Sequence, residues 1–339
     1  MPSKFLNGLR LELAYFSGLP WLRGRRVGGA GVILLFERVR PRQQGRFQPL
    51  QSREITPRFL ERTLRALKRW KYDIVPLDEV CRRAVKLPQS RRFVCLTFDG
   101  VYKDLIASAY PVLAKQAVPF TIYVPTAFPD GVGEAWWLAL EKVISRENRI
   151  SLVVDRKERR FELGTTAEKY QAYEFLDSWM RTLTPADLSL AIRDLCTRYS
   201  VDLVALSRAA WMDWNDLAKL AADPLVTIGS ATVNYPVLSN LKDIDAAREI
   251  TMGRAVAQSA FNREVRHFAY PLGDRGSFAR RHAVIAAEAG FASAASAIAG
   301  MVEAEGRSDL YALPRIAWDG QQTSLRALRV ILSGVVSSR

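Results

Sequence analysis

The chain has 339 residues, of which 49% are hydrophobic and 25% are charged, so it can bury one large core or two smaller ones. Its three widely spaced cysteines lack a CxxC pair, which argues against both a disulfide framework and a thiolate metal site. The sequence has neither a signal-peptide pattern nor a run of roughly 20 apolar residues, and we therefore expect a cytoplasmic protein.

The formal net charge of +14 comes from the first quarter of the chain. Residues 1–92 carry 21 Lys and Arg against 7 Asp and Glu, whereas the rest carries 28 of each class. Four arginines recur there at helical spacing: Arg58, Arg62, Arg65 and Arg69. We interpret them either as a solvated helix face beside a basic arm, or as a surface for an anionic polymer or a membrane, which would place the protein peripherally on that membrane. Nucleic acid is not an expected partner, because zinc-finger spacing and RNP-type aromatic motifs are missing from the sequence.

Apolar runs of strand length alternate with helical patterns along most of the chain. The first part predicts strands at 31–36, 72–77, 93–98 and 119–124, a helix from Thr56 with Pro57 in its first turn, and helices at 78–86 and 103–116. The last part predicts strands at 225–230, 265–270 and 291–296 and helices at 241–258, 277–289 and 323–334. This alternation is typical of parallel βαβ units, and their number indicates a closed or nearly closed barrel.

A long insertion at 127–222 interrupts the alternation. It contains "GEAWWLALEKVI", a predicted hairpin "SLVVDRKERRFEL", and helices that begin near Thr165 and at Thr184. Trp136 and Trp137 follow soon after a strand end and have two interpretations. They form a wall on which sugar rings stack, because aromatic faces pack well on pyranose rings, or they anchor a helix in the core.

Three predicted strand ends carry unusual residues. Asp99 and Gly100 follow the first, "GSATVNYPVLSNL" follows the second, and "AYPLGD" follows the third. Because the loops after parallel strands share one pole of a barrel, these segments are expected to converge there. The structural alternatives are a helix N-cap for Asp99 and ordinary turns for the other two segments.

Taken together and in order, these segments resemble the motifs of the polysaccharide deacetylase family with the NodB homology domain. "LTFDGVYKD" is similar to the family's T-F-D-D-G-Y motif, "IGSATVNYP" to G-S-H-T-x-x-H-P, and "FAYPLGD" to F-x-x-P-Y-G. Weaker similarities are "LLFERV", "AAEAGFASAAS" and "ALPRIAWDG". The resemblance spans about residues 30–320, and the insertion is its least family-like part.

The resemblance implies an α/β fold, a distorted (β/α) barrel of about seven parallel strands, and hydrolysis of N-acetyl groups on amino-sugar polymers. In the family, the first Asp of the first motif is the general base, and the second Asp and two His hold a divalent metal such as zinc. Asp99 matches the base. The three ligand positions are occupied by Gly100, Ala231 and Tyr235, so we expect no metal cofactor.

Other family positions also differ in this sequence. Glu37 stands where the family has His, Ala269 where it has the Arg that orients the base, and Leu272 where it has a Tyr whose backbone amide contacts the oxyanion. The catalytic His near the C-terminus has no counterpart, and His267 and His282, the chain's two histidines, are interpreted as structural.

The sequence therefore predicts a deacetylase-family protein with reduced or no metal-dependent activity. The alternative is a pseudoenzyme that binds glycan or regulates a partner in polysaccharide synthesis. The expected partner is an N-acetylated amino-sugar polymer or oligomer, and the expected contacts at the barrel opening are Tyr102, Trp136, Trp137, Asn234, Tyr235, Tyr270, Pro271 and Leu272. We divide the chain into a basic arm (1–29), a barrel (30–322) that includes the insertion, and a C-terminal helix (323–339).

Overall fold

The structure is a computed structural model that describes residues 29–86, 91–318, 320 and 324–333, so nearly all of the predicted basic arm lies outside the described residues. The strands are β1 (Gly31–Phe36), β2 (Arg38–Val39), β3 (Glu54–Ile55), β4 (Asp73–Ile74), β5 (Phe93–Asp99), β6 (Phe120–Val124), β7 (Arg149–Val154), β8 (Lys157–Glu162), β9 (Val226–Ser230), β10 (His267–Ala269), β11 (Ser293–Ala295) and β12 (Ile316–Ala317). The helices are α1 (Pro57–Arg69), α2 (Leu77–Val85), α3 (Tyr110–Lys115), α4 (Trp136–Arg146), α5 (Thr166–Met180), α6 (Pro185–Arg198), α7 (Leu203–Ala210), α8 (Trp214–Ala221), α9 (Asp243–Phe261), α10 (Arg280–Glu288) and α11 (Leu325–Leu332).

Seven parallel strands form one curled sheet in the order β11, β10, β9, β6, β5, β1, β12, and β4 pairs with the start of β5. The two edge strands approach each other, because Ala295 bridges to Leu313 just before β12. The amide of Leu313 also donates to the carbonyl of Ala294 at 2.9 Å. The predicted α/β barrel of about seven parallel strands is confirmed.

Alternate residues of the strands face two different parts of the core. Val32, Leu34 and Phe36 of β1 pack in the large cluster that includes Leu60 of α1, whereas Ile33 packs in a smaller cluster. That smaller cluster contains inward-facing residues of several sheet strands: Cys95, Tyr123, Ala269 and Ala295. Since side chains alternate across a strand, one face of the sheet packs on the helices and the other fills the barrel.

The helices begin and end largely where the sequence predicts. The hydroxyl of Thr56 accepts from the amide of Phe59, and Pro57 occupies the first position of α1. One predicted helix, 103–116, is interrupted: a π-helical turn spans Leu105–Ala109 before α3 begins at Tyr110. Pro111 lacks an amide hydrogen, which removes a regular helical bond at this junction. None of the described helices has the length and apolar character needed to cross a membrane.

The insertion forms α4 to α8 and the antiparallel hairpin β7–β8. The hairpin and the helices that follow Thr165 and Thr184 are as predicted, whereas α7 and α8 were not predicted. Thr165 and Glu168 form a capping box at the start of α5. The insertion is also fastened to the barrel, since the side-chain amide of Asn240 donates to the carbonyls of Arg181 and Leu183 at 2.8 Å. Arg181 forms an ion pair with Asp274 in the loop after β10. The insertion therefore lies over the barrel end at which these strands terminate.

Candidate functional site

The barrel mouth, the end of the barrel at the carboxyl ends of its strands, contains a small cavity. Its volume is about 20 Å³, which is room for one water molecule and too little for a sugar ring. The lining residues come from the end of β5, from the segments after β1, β2, β5, β6, β9 and β10, and from the insertion: Glu37, Arg53, Asp99, Gly100, Tyr102, Pro125, Phe128, Trp137, Trp211, Tyr235 and Leu272. The predicted convergence of loops at one pole is therefore present.

Asp99 is held at this mouth by Arg315. The Nη1 of Arg315 donates to Oδ1 of Asp99 at 2.5 Å, and Nη2 donates to Oδ2 at 2.8 Å. Asp99 is 6% exposed and Arg315 is fully buried, so this is a two-bond ion pair inside the protein. Asp99 is the last residue of β5 and caps no described helix, so the N-cap alternative is wrong.

Arg315 was not predicted as a site residue. It precedes β12 and also donates from Nε to the carbonyl of Ser296 at 2.6 Å. The Arg315 guanidinium, just before β12, thus orients Asp99, a role that Ala269 at the end of β10 cannot fill because it has no charged group. The signal in the sequence was an arginine inside the apolar run "ALPRIAW", because a buried arginine needs a carboxylate partner.

A second ion pair stands at the edge of the same cavity. Nη1 of Arg53 lies 3.5 Å from Oε2 of Glu37, and both side chains are 29% exposed. Burial raises the pKa of Glu37, and the negative charge of Asp99 raises it further, while Arg53 acts in the opposite direction. The raised pKa means that the folded chain holds the proton of Glu37 more tightly than a free glutamate does.

Four aromatic residues, Tyr102, Phe128, Trp137 and Trp211, close the mouth and form what we call the aromatic plug. The Trp211 ring centroid lies 4.0 Å from that of Tyr102 and 4.5 Å from that of Phe128. The indole of Trp137 donates to the hydroxyl of Tyr102 at 3.0 Å. Trp211 carries a buried indole N–H that has no hydrogen-bond partner among the described residues. An unsatisfied buried donor of this kind costs about 1–3 kcal/mol, which makes it a place for an acceptor atom.

The three positions that correspond to metal ligands do not form a ligand set. Gly100 has no side chain, and Ala231 is buried among apolar residues of the barrel interior. The hydroxyl of Tyr235 accepts from the backbone amide of Leu272 at 3.3 Å, so that amide already has a partner. Throughout residues 29–86, 91–318, 320 and 324–333, no three His, Cys, Asp or Glu side chains are grouped so as to hold a metal ion. The residues at this mouth therefore do not fit the divalent metal that the family resemblance implies.

The backbone around these positions is strained. Thr232, Tyr235 and Leu272 have φ values of 69°, 58° and 59°, in the left-handed region that favours glycine. Gly100 has φ of 87°, and a Cβ there would lie 3.1 Å from the Trp211 ring. Three of the ten described non-glycine residues with positive φ therefore lie in the loops at the barrel mouth, and strained residues of this kind are often found at functional sites.

The remaining predicted sugar contacts have different placements. Trp136 and Trp137 are 7% and 6% exposed, so the structure favours the core-anchor interpretation, although Trp137 also lines the cavity. Tyr270 packs on Phe278 outside the barrel interior and does not line the cavity, since Ala269 takes the inward position of β10. Pro271 and Asn234 do not line it either; the Asn234 amide donates to Glu249 at 2.7 Å.

Both histidines lie away from the mouth cavity. His267 Nδ1 is 2.9 Å from Oγ of Ser293, and its Nε2 is 3.3 Å from Asp78. His282 Nδ1 accepts from the amide of Ala279 at the start of α10. Each makes local contacts, as a structural histidine does.

The family model described as polysaccharide deacetylase matches residues 167–294. A comparison with curated proteins gives no match.

Three solved structures are similar in fold. The deacetylase PplD of Streptococcus pyogenes, solved with acetate, has 16% identity and a TM-score of 0.58, covering 90% of this chain and 99% of that one. IcaB from Ammonifex degensii has 16% identity and a TM-score of 0.57, covering 90% and 98%. The BpsB deacetylase domain from Bordetella bronchiseptica has 14% identity and a TM-score of 0.51, covering 85% and 96%.

Proposed function

The chain belongs to the polysaccharide deacetylase family, and we propose that it binds N-acetylated amino-sugar polymers without metal-dependent hydrolysis. The observation that carries the proposal is the arrangement around Asp99. The candidate base is retained and is oriented by Arg315, but the three neighbouring ligand positions are Gly100, Ala231 and Tyr235. A carboxylate alone does not hold a catalytic zinc ion, which takes three protein ligands.

The contact between Tyr235 and Leu272 also supports loss of hydrolysis. In the family, the backbone amide at the position of Leu272 contacts the oxyanion, and a free N–H is what that role requires. Here the amide of Leu272 donates to the hydroxyl of Tyr235. The same tyrosine thus replaces a metal ligand and covers the oxyanion donor.

Recognition of an N-acetylated sugar is supported by polar groups of the residues that line the mouth cavity. The indole N–H of Trp211 has no partner among the described residues and would donate a hydrogen bond to an acetamido carbonyl oxygen. Arg53 and Glu37 keep donors and acceptors for sugar hydroxyls, because each side chain is 29% exposed. The cavity of about 20 Å³ requires the aromatic plug to shift before a sugar ring enters.

Binding and hydrolysis are tested separately on the full chain. Titration calorimetry with the pentamer of N-acetylglucosamine, in the presence of EDTA, is expected to show saturable binding. Arg53→Gln should weaken it roughly tenfold, the effect of losing one hydrogen bond to a charged group. Arg91→Gln is the matched control, since Arg91 is 64% exposed and pairs with Asp73 at 3.9 Å, away from the mouth lining. Absence of binding, or equal effects of the two variants, would refute the binding site.

Residual hydrolysis is the second candidate, and the retained Asp99 beside a water-sized cavity favours it. An acetate assay with the same pentamer decides between the two. Acetate release that exceeds the blank and disappears in Asp99→Asn would establish a residual enzyme, with Asp99 taking the proton from water. Release at the level of the blank supports the binding protein.

A further inference from the structure

Beside the barrel mouth runs a groove that the family resemblance does not account for. A concave region of about 360 Å³ is lined by four arginines, Arg40, Arg42, Arg58 and Arg62, together with Glu54 and three glutamines, and we call it the arginine groove. A neighbouring concavity of about 530 Å³ shares Arg40, Gln43 and Gln48 with it. The two concavities therefore border each other at the segment between β1 and α1.

The arginine groove has more positive than negative side chains in its lining. Arg40 forms an ion pair with Glu54, in which Nε of Arg40 donates to Oε2 of Glu54 at 2.8 Å. Arg42, Arg58 and Arg62 are exposed and have no ion pair or side-chain hydrogen bond to any residue that the structure describes. Asp319 precedes the lining residue Gly320 in the sequence. Even when the charge of Asp319 is counted with that of Glu54, the four arginines leave a net positive charge.

We propose that the arginine groove binds a polysaccharide chain that carries carboxylate groups. Guanidinium groups bind carboxylates with two parallel hydrogen bonds, and three unpaired guanidiniums provide that interaction repeatedly along one path. The side-chain amides of Gln43 and Gln51, which also line the groove, present donors and acceptors of the kind that sugar hydroxyls need.

The groove adjoins the site of the proposed function. Arg53 lines the mouth cavity, and the next residue, Glu54, lines the arginine groove. Under the proposed function, a polymer whose N-acetylated sugar binds at the mouth would place its acidic sugars in this neighbouring groove. This inference deepens the proposed function and rests on it for the choice of a glycan as the occupant.

Other polymers fit the groove less well. Deacetylated amino sugars carry ammonium groups, which four arginines repel. Single-stranded nucleic acid binds through aromatic stacking as well as charge, but the aromatic residue of the groove lining, Phe59, is 4% exposed and stacks on Trp318. A membrane presents a broad surface, whereas a concave path takes a single strand of polymer.

The test uses polygalacturonate as the carboxylate-bearing glycan and compares two double variants of the full chain. Arg58→Ala with Arg62→Ala removes two arginines from the groove, and binding should weaken at least roughly tenfold. Arg65→Ala with Arg69→Ala removes the same charge from the same helix outside the groove lining, and binding should change less than about twofold. Binding of the parent should also weaken as salt rises, because salt screens exposed charges.

The outcomes separate this inference from the proposed function. Equal losses in the two double variants would show general attraction to positive charge and overturn the groove, and absence of binding to polygalacturonate would overturn it as well. Tighter binding of DNA, polyglutamate or anionic phosphatidylserine vesicles than of polygalacturonate would overturn the choice of glycan. Loss of N-acetylglucosamine pentamer binding with retained polygalacturonate binding would instead refute the proposed function alone.

Discussion

Replacement of Arg315 by methionine tests whether the buried ion pair organises the barrel mouth. The change removes both hydrogen bonds to Asp99 and the bond to the carbonyl of Ser296, and it leaves a carboxylate that is 6% exposed without a cation. Removing one partner of a buried pair typically costs about 3–5 kcal/mol. Because a domain is stable by about 5–15 kcal/mol, we expect a large loss in the free energy of unfolding, not a complete loss of folding.

Urea unfolding, followed by fluorescence of the eight tryptophans, measures this loss. The deficit of Arg315→Met relative to the parent should shrink from pH 7 to pH 4, because an unpaired buried carboxylate takes up a proton and no longer carries a buried charge. The double variant Asp99→Asn with Arg315→Met should lose less at pH 7 than Arg315→Met alone. A deficit below about 1 kcal/mol at pH 7, or one that is equal at both pH values, would refute the reasoning.

Three further changes probe the mouth. Gly100→Ala should lower the free energy of unfolding by about 1–3 kcal/mol, because residue 100 has a φ of 87° and a Cβ there would lie 3.1 Å from the Trp211 ring. An unfolding midpoint equal to the parent's would contradict this. Trp211→Phe should leave the unfolding midpoint in urea close to the parent's, since it removes an unpaired buried donor. In calorimetry the same variant should bind the N-acetylglucosamine pentamer more weakly, and unchanged binding would exclude the indole N–H as a ligand donor. The raised pKa of Glu37 means that its ionisation opposes folding as pH rises above its ordinary value of 4.5. Glu37→Gln should therefore be more stable than the parent at pH 7 and lose this advantage below about pH 4 in unfolding curves, and a gain that is equal at both pH values would count against this.

The sequence predicts most of the framework because strand and helix periodicities in this chain are local. The first strand, 31–36, has the predicted bounds, and Thr56 with Pro57 marks the start of α1. The interrupted helix at 103–116 is the clearest departure, since its apolar pattern continues through Leu105–Ala109 while Pro111 removes the backbone donor.

The site was predictable only where a loop follows a strand directly. Asp99 ends β5 and was identified from that position, and the resemblance marked Tyr235. Arg315 and Trp211 reach the mouth from distant parts of the chain, and their contacts depend on tertiary packing that no local pattern encodes. Tyr270 was predicted to contact the sugar, but successive residues along a strand point to opposite sides. Because Ala269 points into the barrel, Tyr270 points out of it.

The central claim, that this barrel mouth does not support metal-dependent deacetylation, is tested most directly by adding Zn²⁺ and Co²⁺ to the metal-stripped full chain. Elemental analysis after gel filtration, with acetate release from the N-acetylglucosamine pentamer measured on the same samples, gives stoichiometry and activity together. The account predicts no retained stoichiometric metal and no acetate release above the EDTA-treated sample. One tightly retained ion per chain, with metal-dependent acetate release that disappears in Asp99→Asn, would contradict it.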